Sequence, residues 1–173
     1  ENEIEILFMD RSGDPIGRVW SNKYGSISTI RKGQLNFTFS KAAIEWIKDV
    51  MVQKMDNQQA LILAMRVNDD RTKSMVDKAI RRISDYQTKV KALKGEVISD
   101  IAPKLRGWEG LASKIYFETL NLFIPENMRF AKRSQHPALD VVNALLNYGY
   151  GILYGKIEGA LIKAGIDPYM GVF

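Results

Sequence analysis

The sequence has no cysteine and only one histidine, His136. Without cysteine, the chain forms no disulfide, thiolate zinc site, iron–sulfur cluster or thiol nucleophile. A single histidine also excludes a metal site or proton relay built from two histidines within these residues. The opening stretch, ENEIEILFMD, carries no initiator methionine, no basic leader and no apolar run of signal-peptide length. We interpret this start as a cut end and expect a protein that is not secreted.

Long apolar runs are also missing. Asn143, Asn147, Lys156 and Glu158 interrupt every 18-residue stretch near the end of the chain, so we expect no membrane-spanning helix. The 173 residues, 46% hydrophobic and 26% charged, suit one globular domain. A net charge of +5 favours a polyanionic partner. Because Lys and Arg are interspersed with Asp and Glu, this indication of nucleic-acid binding is modest.

A β-hairpin is predicted at the start of the chain. Residues 3–9 alternate between charged and apolar before turning apolar, RSGDP follows as a turn, and IGRVW makes a second strand. An isolated hairpin is marginally stable in water. We therefore expect a further N-terminal segment or a partner chain to complete its sheet.

From Ser40 onward, apolar residues recur at helical spacing. A first long helix, with Ser40 as N-cap, is predicted to run to about Val67. A second helix follows, with cationic residues on the face opposite its apolar stripe, and Gly95 ends it. Together with the helices below, this pattern predicts a mainly α fold with a short β-hairpin.

Prolines and glycines set the predicted bounds of the later helices. A short helical piece is expected to stop at Pro103, and RGWEG then opens a separate helix through about Leu122. The last helix is expected from about Pro137 to Ala164, with Gly165 as its C-terminal stop.

A polar and aromatic stripe runs down this last helix. Asn143, Asn147, Tyr150, Tyr154 and Glu158 share one helical face. The stripe is either the solvent face of an amphipathic helix or a polar wall that meets phosphates or supports a metal site.

Three glycines, Gly151, Gly155 and Gly159, repeat along the same helix. Each costs about 1 kcal/mol of helix propensity relative to alanine. Small residues at this spacing let another helix approach closely, so we predict close helix packing rather than a phosphate loop.

Glu109 is expected in the first turn of the helix that begins at RGWEG. An acidic residue there is stabilised by the positive end of the helix dipole, without any functional role. Taken alone, one carboxylate does not make a nuclease site, because a hard divalent cation needs several oxygen or imidazole ligands.

A basic loop, RFAKRSQHP, precedes the last helix and contains Arg129, Lys132, Arg133 and His136. Basic residues at a helix N-terminus are suited to phosphate binding. A solvated loop between two helices accounts for them equally well.

Several segments occur in an order typical of one family. EILFMDRSGDPIGRVW and TIRKGQL come first, QKMDNQQALIL and GWEGLASKIYF follow, and RSQHPALDVVNALLNYGYGILYGKIEGALIKAGIDPYMGVF comes last. This order resembles the CRISPR-associated integrase family, the metal-dependent DNA endonucleases and transesterases that insert spacers into a CRISPR array. The resemblance extends almost from end to end.

The resemblance implies an active site of Glu, His and Asp that binds Mg²⁺ or Mn²⁺, with Glu109 as its Glu in place of the helix-dipole interpretation. The His is expected directly after Phe173 and the Asp further on, so this chain alone is expected to lack a complete active site. His136 is not a substitute, since it lies in the loop that is Arg- and Pro-rich in the family. Residues 1–25 would be the remnant of an N-terminal β domain, and residues 26–173 a truncated helical catalytic domain.

The resemblance also implies partners and roles. A homodimer would join the 3'-hydroxyl of a DNA fragment to the repeat, acting on double-stranded and branched DNA in the prokaryotic cytoplasm. A small CRISPR-associated partner subunit would bridge two dimers. Tyr154 and Asn143 would support catalysis or position DNA, and Lys132, Arg133 and Arg129 would contact the phosphate backbone. The alternative is a non-catalytic helical DNA-binding or assembly module.

Overall fold

The computed structural model describes residues 6–11, 15–19 and 27–173. It opens with an antiparallel hairpin of β1 (Ile6–Met9) and β2 (Pro15–Val19), in which Ile6 lies opposite Val19. The predicted hairpin is confirmed, although its first residues and its turn at 12–14 lie outside the described residues.

Five α-helices follow the hairpin, which confirms the mainly α fold. They are α1 (Ile27–Thr38), α2 (Lys41–Ala64), α3 (Asp70–Lys91), α4 (Ile98–Leu120) and α5 (Val141–Lys163). Two short 3₁₀ turns, Asn121–Phe123 and Glu126–Met128, come between α4 and α5. No helix of the described ranges is long and apolar enough to cross a membrane.

The chain forms two compact units. Unit 1 combines Glu1–Asn36 with Ser134–Gly171, and unit 2 combines Phe37–Arg133 with Val172–Phe173. The domain boundary predicted between residues 25 and 26 lies outside the described residues and stays a prediction.

Unit 2 is built on a core between α2, α3 and α4. Each of these helices buries one apolar stripe, at the spacing that the sequence predicted. The side chains with the least exposure are Met55, Ile62, Ile83, Val90, Ile101 and Leu105. The cationic face predicted for α3 is exposed, as expected of a solvated surface.

Polar side chains cap the helices of unit 2. Ser40 accepts a hydrogen bond from the Ala43 amide at 3.2 Å, which confirms the predicted start of α2. At the start of α4, the Asp100 carboxylate accepts hydrogen bonds from the Val97 and Glu96 amides. These two bonds, that from Val97 first, lower the pKa of Asp100.

The break predicted at Pro103 is wrong, because α4 continues through it. Pro103 removes one hydrogen bond, to the Ser99 carbonyl, and a proline inside a helix costs about 3 kcal/mol. Apolar side chains on both sides of it are buried in the core, and each leucine or isoleucine among them contributes about 1.5–3 kcal/mol. They are Ile98, Ile101, Ala102 and Leu105. The burial of these side chains therefore outweighs the tendency of Pro103 to end the helix.

The continuity of α4 moves Glu109 into the middle of a helix. It is the twelfth of 23 residues, counted from Ile98. The dipole effect is confined to the first turn, so the first-turn interpretation of Glu109 is wrong.

In unit 1, α5 begins four residues later than predicted. The Asp140 carboxylate accepts a hydrogen bond from the Asn143 amide at 2.8 Å and so caps the helix there rather than at Pro137. The predicted stop is confirmed, since Gly165 has a φ of +75°, a conformation that favours glycine.

The close packing predicted at Gly151, Gly155 and Gly159 is not found. A Cβ at any of the three would meet no atom within 4 Å in the described chain. Their propensity cost is therefore not offset by a helix packed against them among these residues.

The side chain of Gln34, on α1, forms hydrogen bonds to the backbone of residues 167–170, which follow α5. Its Nε2 donates to the carbonyls of Asp167 at 2.8 Å and Met170 at 2.9 Å, and its Oε1 accepts from the Asp167 amide at 2.9 Å. Arg31 adds an ion pair to Asp167 at 3.8 Å. Gln34 and Arg31 thus hold the DPYMG turn against α1.

Gln34→Ala is expected to speed hydrogen exchange at the Asp167 amide by about tenfold, since a hydrogen bond contributes about 1 to 1.5 kcal/mol. Gln53→Ala is the matched control, because Gln53 bonds to Asn57 of its own helix. Exchange at Asp167 that is equal in the two variants would contradict the role given to Gln34.

Candidate active site

Glu109 of α4 meets α2 through a network of polar side chains in unit 2. Its Oε1 accepts hydrogen bonds from Lys54 Nζ and, at 2.9 Å, from Ser113 Oγ. Gln58 Nε2 donates to Ser113 Oγ at 3.3 Å. We call Lys54, Gln58, Glu109 and Ser113 the carboxylate network.

The helical repeat explains how the carboxylate network forms. Lys54 and Gln58 are four residues apart on α2, and Glu109 and Ser113 are four apart on α4, so each pair lies on one helix face. The core between the helices holds these faces together. Glu109 is largely shielded from solvent, with 25% of its side chain exposed, whereas Lys54 is 47% exposed.

A groove of about 360 Å³ lies next to the carboxylate network, and Ser113 belongs to both. Three cationic side chains and one acidic side chain line it. Lys132 and Arg133 come from the predicted basic loop, and Lys114 and Glu118 of α4 form an ion pair at 3.8 Å. Phe117 and Phe130, packed edge to face at 6.1 Å, supply apolar surface. We call it the basic groove.

Asn121 fixes the basic loop against the end of α4. Its Nδ2 donates to the Phe130 carbonyl at 2.7 Å, and its Oδ1 accepts from the Phe130 amide at 3.2 Å. Phe130 is buried. This paired contact holds the chain just before Lys132 and Arg133, so that both reach the groove.

Arg129 does not line the basic groove. Its Nε donates instead to the Ile124 carbonyl at 3.2 Å, across the second 3₁₀ turn. Of the three cations predicted to contact phosphate, the structure thus brings Lys132 and Arg133 to the groove and leaves Arg129 outside it.

The polar and aromatic stripe on α5 was interpreted either as a solvent face or as the polar wall of a binding site, and neither interpretation holds along its whole length. Asn143 is buried, accepts from the Ser134 amide at 2.9 Å and donates to Asp140 at 2.6 Å, and Glu158 is buried as well. Tyr150 and Tyr154 are more than half exposed. A solvent face is therefore wrong for both ends of the stripe.

Asn143 has a clear structural task, because it joins the start of α5 to Ser134. Asn143 and Tyr154 belong to unit 1 and Glu109 to unit 2. The catalytic or DNA-positioning roles expected of Asn143 and Tyr154 stay predictions.

The described residues do not fit a complete divalent-metal site. Nowhere in the described ranges do three His, Asp or Glu side chains cluster as ligands. Glu109 offers one carboxylate, and Lys54 and Ser113 already donate to it. A hard cation needs more oxygen ligands than this.

Sequence reasoning missed Lys54, Gln58, Ser113 and Lys114 as members of the site. The four-residue spacing within each pair was visible, but the pairing joins residues 55 positions apart. Only the packing of α2 against α4 brings the two pairs together, and Lys114 became visible only as part of the groove lining.

Comparison with solved structures defines the class of fold. A CAS1 protein from Thermotoga maritima matches with a TM-score of 0.70 and 18% identity, over 97% of this chain and 50% of that one. A casposase bound to its integration product matches with a TM-score of 0.65 and 21% identity, over 98% of this chain and 48% of that one. The helical fold is therefore that of CAS1 and casposase structures.

The sequence comparison is more specific. The model of the family CRISPR associated protein Cas1 matches residues 1–173. A CRISPR-associated endonuclease Cas1 of Archaeoglobus fulgidus is 32% identical, over 99% of this chain and 52% of the relative. Another, of Mycobacterium tuberculosis, is 32% identical over 99% of this chain and 47% of the relative. The chain belongs to the Cas1 family and spans about half the length of these relatives.

Proposed function

We propose that this chain is part of a metal-dependent DNA endonuclease and integrase that joins a DNA 3'-hydroxyl to the CRISPR repeat by transesterification. The observation that supports it best is the carboxylate network beside the basic groove. Relatives named as endonucleases and a fold shared with a casposase add to this support.

The basic groove and the carboxylate network are proposed to have different roles, the groove in DNA binding and the network in catalysis. Lys114, Lys132 and Arg133 would bind phosphates of the DNA backbone, since cations at this density neutralise the strand and release its counterions. Ser113 belongs to both groove and network, so a strand bound in the groove would pass close to Glu109.

Glu109 is proposed as one ligand of a Mg²⁺ or Mn²⁺ ion. The other ligands would come from outside the described residues, because these supply no cluster of three. A bound ion of this kind stabilises charge on the phosphate and activates the attacking oxygen. Ser113 keeps the Glu109 carboxylate oriented by donating to it at 2.9 Å.

Several finer roles belong to the same proposal. The protein would act as a homodimer in the prokaryotic cytoplasm, on double-stranded and branched DNA, with a small CRISPR-associated subunit bridging two dimers. Tyr154 and Asn143 would support catalysis or position DNA. Arg129 would contact the backbone outside the groove.

A non-catalytic DNA-binding or assembly module is the second candidate. It is favoured by the lack of a three-ligand cluster in the part of the chain that the structure describes. Incubating the intact protein with branched DNA in Mn²⁺, Mg²⁺ or chelator separates the two. The enzyme is expected to cut only with metal, whereas binding without cleavage in every buffer would support the module.

Lys132→Ala is expected to weaken DNA binding and to reduce the slope of log affinity against log salt by about 0.9, the share of one phosphate contact. Lys91→Ala, on the exposed cationic face of α3, is the control and should leave the slope unchanged. Fluorescence anisotropy across a salt series measures both. An unchanged slope for Lys132→Ala would remove this residue from the interface.

A further inference from the structure

A second cationic cavity adjoins the basic groove at Glu118. It has a volume of about 230 Å³ and is lined by residues of α3 and α4, all of which belong to unit 2. Lys78 and Arg82 of α3 supply its positive charge, and Glu118 of α4 lines both this cavity and the basic groove. A polyanionic strand that leaves the basic groove past Glu118 would therefore reach Lys78 and Arg82 next. We call this cavity the α3 pocket.

Lys78 and Arg82 are available to bind an anion. They are four residues apart on α3, about 6 Å along the helix axis, so they share one face. Both are exposed, and neither forms a hydrogen bond or an ion pair with any residue that the structure describes. Glu118, the acidic residue of the α3 pocket, instead pairs with Lys114 at 3.8 Å. The pocket therefore presents two cations whose charges no contact within the described chain neutralises.

The rest of the α3 pocket is mainly apolar. Its apolar lining residues are Met75, Ala79, Ile115 and Leu122. The Thr119 hydroxyl, which also lines it, already donates to the Ile115 carbonyl at 2.8 Å. Recognition of a ligand there would therefore depend on the two cations. A phosphate group suits them, because a guanidinium can donate two parallel hydrogen bonds to its oxygens and an ammonium adds a point charge.

We propose that Lys78 and Arg82 bind phosphates of the same DNA that occupies the basic groove, so that the DNA path continues past Glu118 onto α3. The inference rests on the proposed function in one respect, that the basic groove binds the DNA backbone. A nucleic-acid strand fits both sites at once, because its backbone carries a regular row of negative charges. Glu118 would lie between two phosphates, since a carboxylate repels them. Lys78 and Arg82 would add affinity without touching the reacting atoms.

The test compares double variants of the full chain by fluorescence anisotropy with labelled duplex DNA across a salt series. Lys78→Ala with Arg82→Ala is expected to reduce the slope of log affinity against log salt by about 1.8, the share of two phosphate contacts. Arg81→Ala with Lys91→Ala is the matched control, because it removes one arginine and one lysine of the same helix that are exposed but do not line the α3 pocket. The slope of this control should match that of the unmodified chain.

Further comparisons separate the possible failures. Lys78→Arg with Arg82→Lys keeps both charges and should keep the slope of the unmodified chain. Equal slopes for the two alanine pairs would mean that only net charge matters, which overturns the inference. If Lys132→Ala with Arg133→Ala reduces the slope but Lys78→Ala with Arg82→Ala does not, the α3 pocket is refuted and the basic groove remains. If Lys132→Ala with Arg133→Ala leaves the slope unchanged, the DNA role of the groove fails, and the continuous path fails with it.

Discussion

Glu109→Gln is expected to lower metal-dependent DNA cleavage by at least about a hundredfold, equivalent to about 2.7 kcal/mol of barrier. Glutamine keeps the size and helix propensity of glutamate but removes the negative charge that would hold a divalent cation. Cleavage of labelled branched DNA under single-turnover conditions measures the effect.

DNA affinity should survive the same substitution, because the basic groove keeps its three cations. Glu126→Gln is the control, an exposed carboxylate of the second 3₁₀ turn that does not line the groove. Equal cleavage by Glu109→Gln and Glu126→Gln would exclude a catalytic role for Glu109. Loss of binding together with cleavage would instead indicate that Glu109 organises the groove.

Leu105→Ala is expected to cost about 2–5 kcal/mol of unfolding free energy, the usual range for a fully buried leucine. Leu105 is 0% exposed and lies one turn before Glu109 on α4. Its removal leaves a cavity in the core that holds α4 against α2. The urea midpoint should fall, with little change in the denaturant slope.

Leu111→Ala is the matched control on the same helix, because Leu111 is 45% exposed and its side chain contributes little to the core. Its unfolding free energy should change by less than about 0.5 kcal/mol. Similar losses in the two variants would mean that α4 is not buried as described.

Local signals predicted some helix ends in this chain but not others, since α3 ends at Lys91 rather than at Gly95. Ser40 caps α2, because its side-chain oxygen accepts a hydrogen bond from a backbone amide three residues later. Gly165 ends α5, because glycine readily adopts the positive φ found there. Both effects depend only on residues that are close in sequence. Pro103 shows where such signals fail. Its cost is local, but the burial that outweighs it depends on α2 and α3, which a short window of sequence does not contain.

The candidate site was predictable in part. Glu109 was predicted through a family resemblance. The family comparison confirms the family, and the role of Glu109 stays a prediction. Lys132 and Arg133 were found through their charge. Lys54 was missed, because a salt bridge between residues 55 positions apart has no sequence signal of its own. The buried ends of the α5 stripe were missed for a related reason, since helical spacing alone does not tell a solvent face from a covered one.

The most direct test of the central claim is a crystal structure of the intact protein with Mn²⁺ and DNA, analysed by anomalous scattering at the manganese edge. The account predicts a manganese peak at the Glu109 carboxylate and a DNA phosphate in the basic groove. A manganese peak located elsewhere would contradict it.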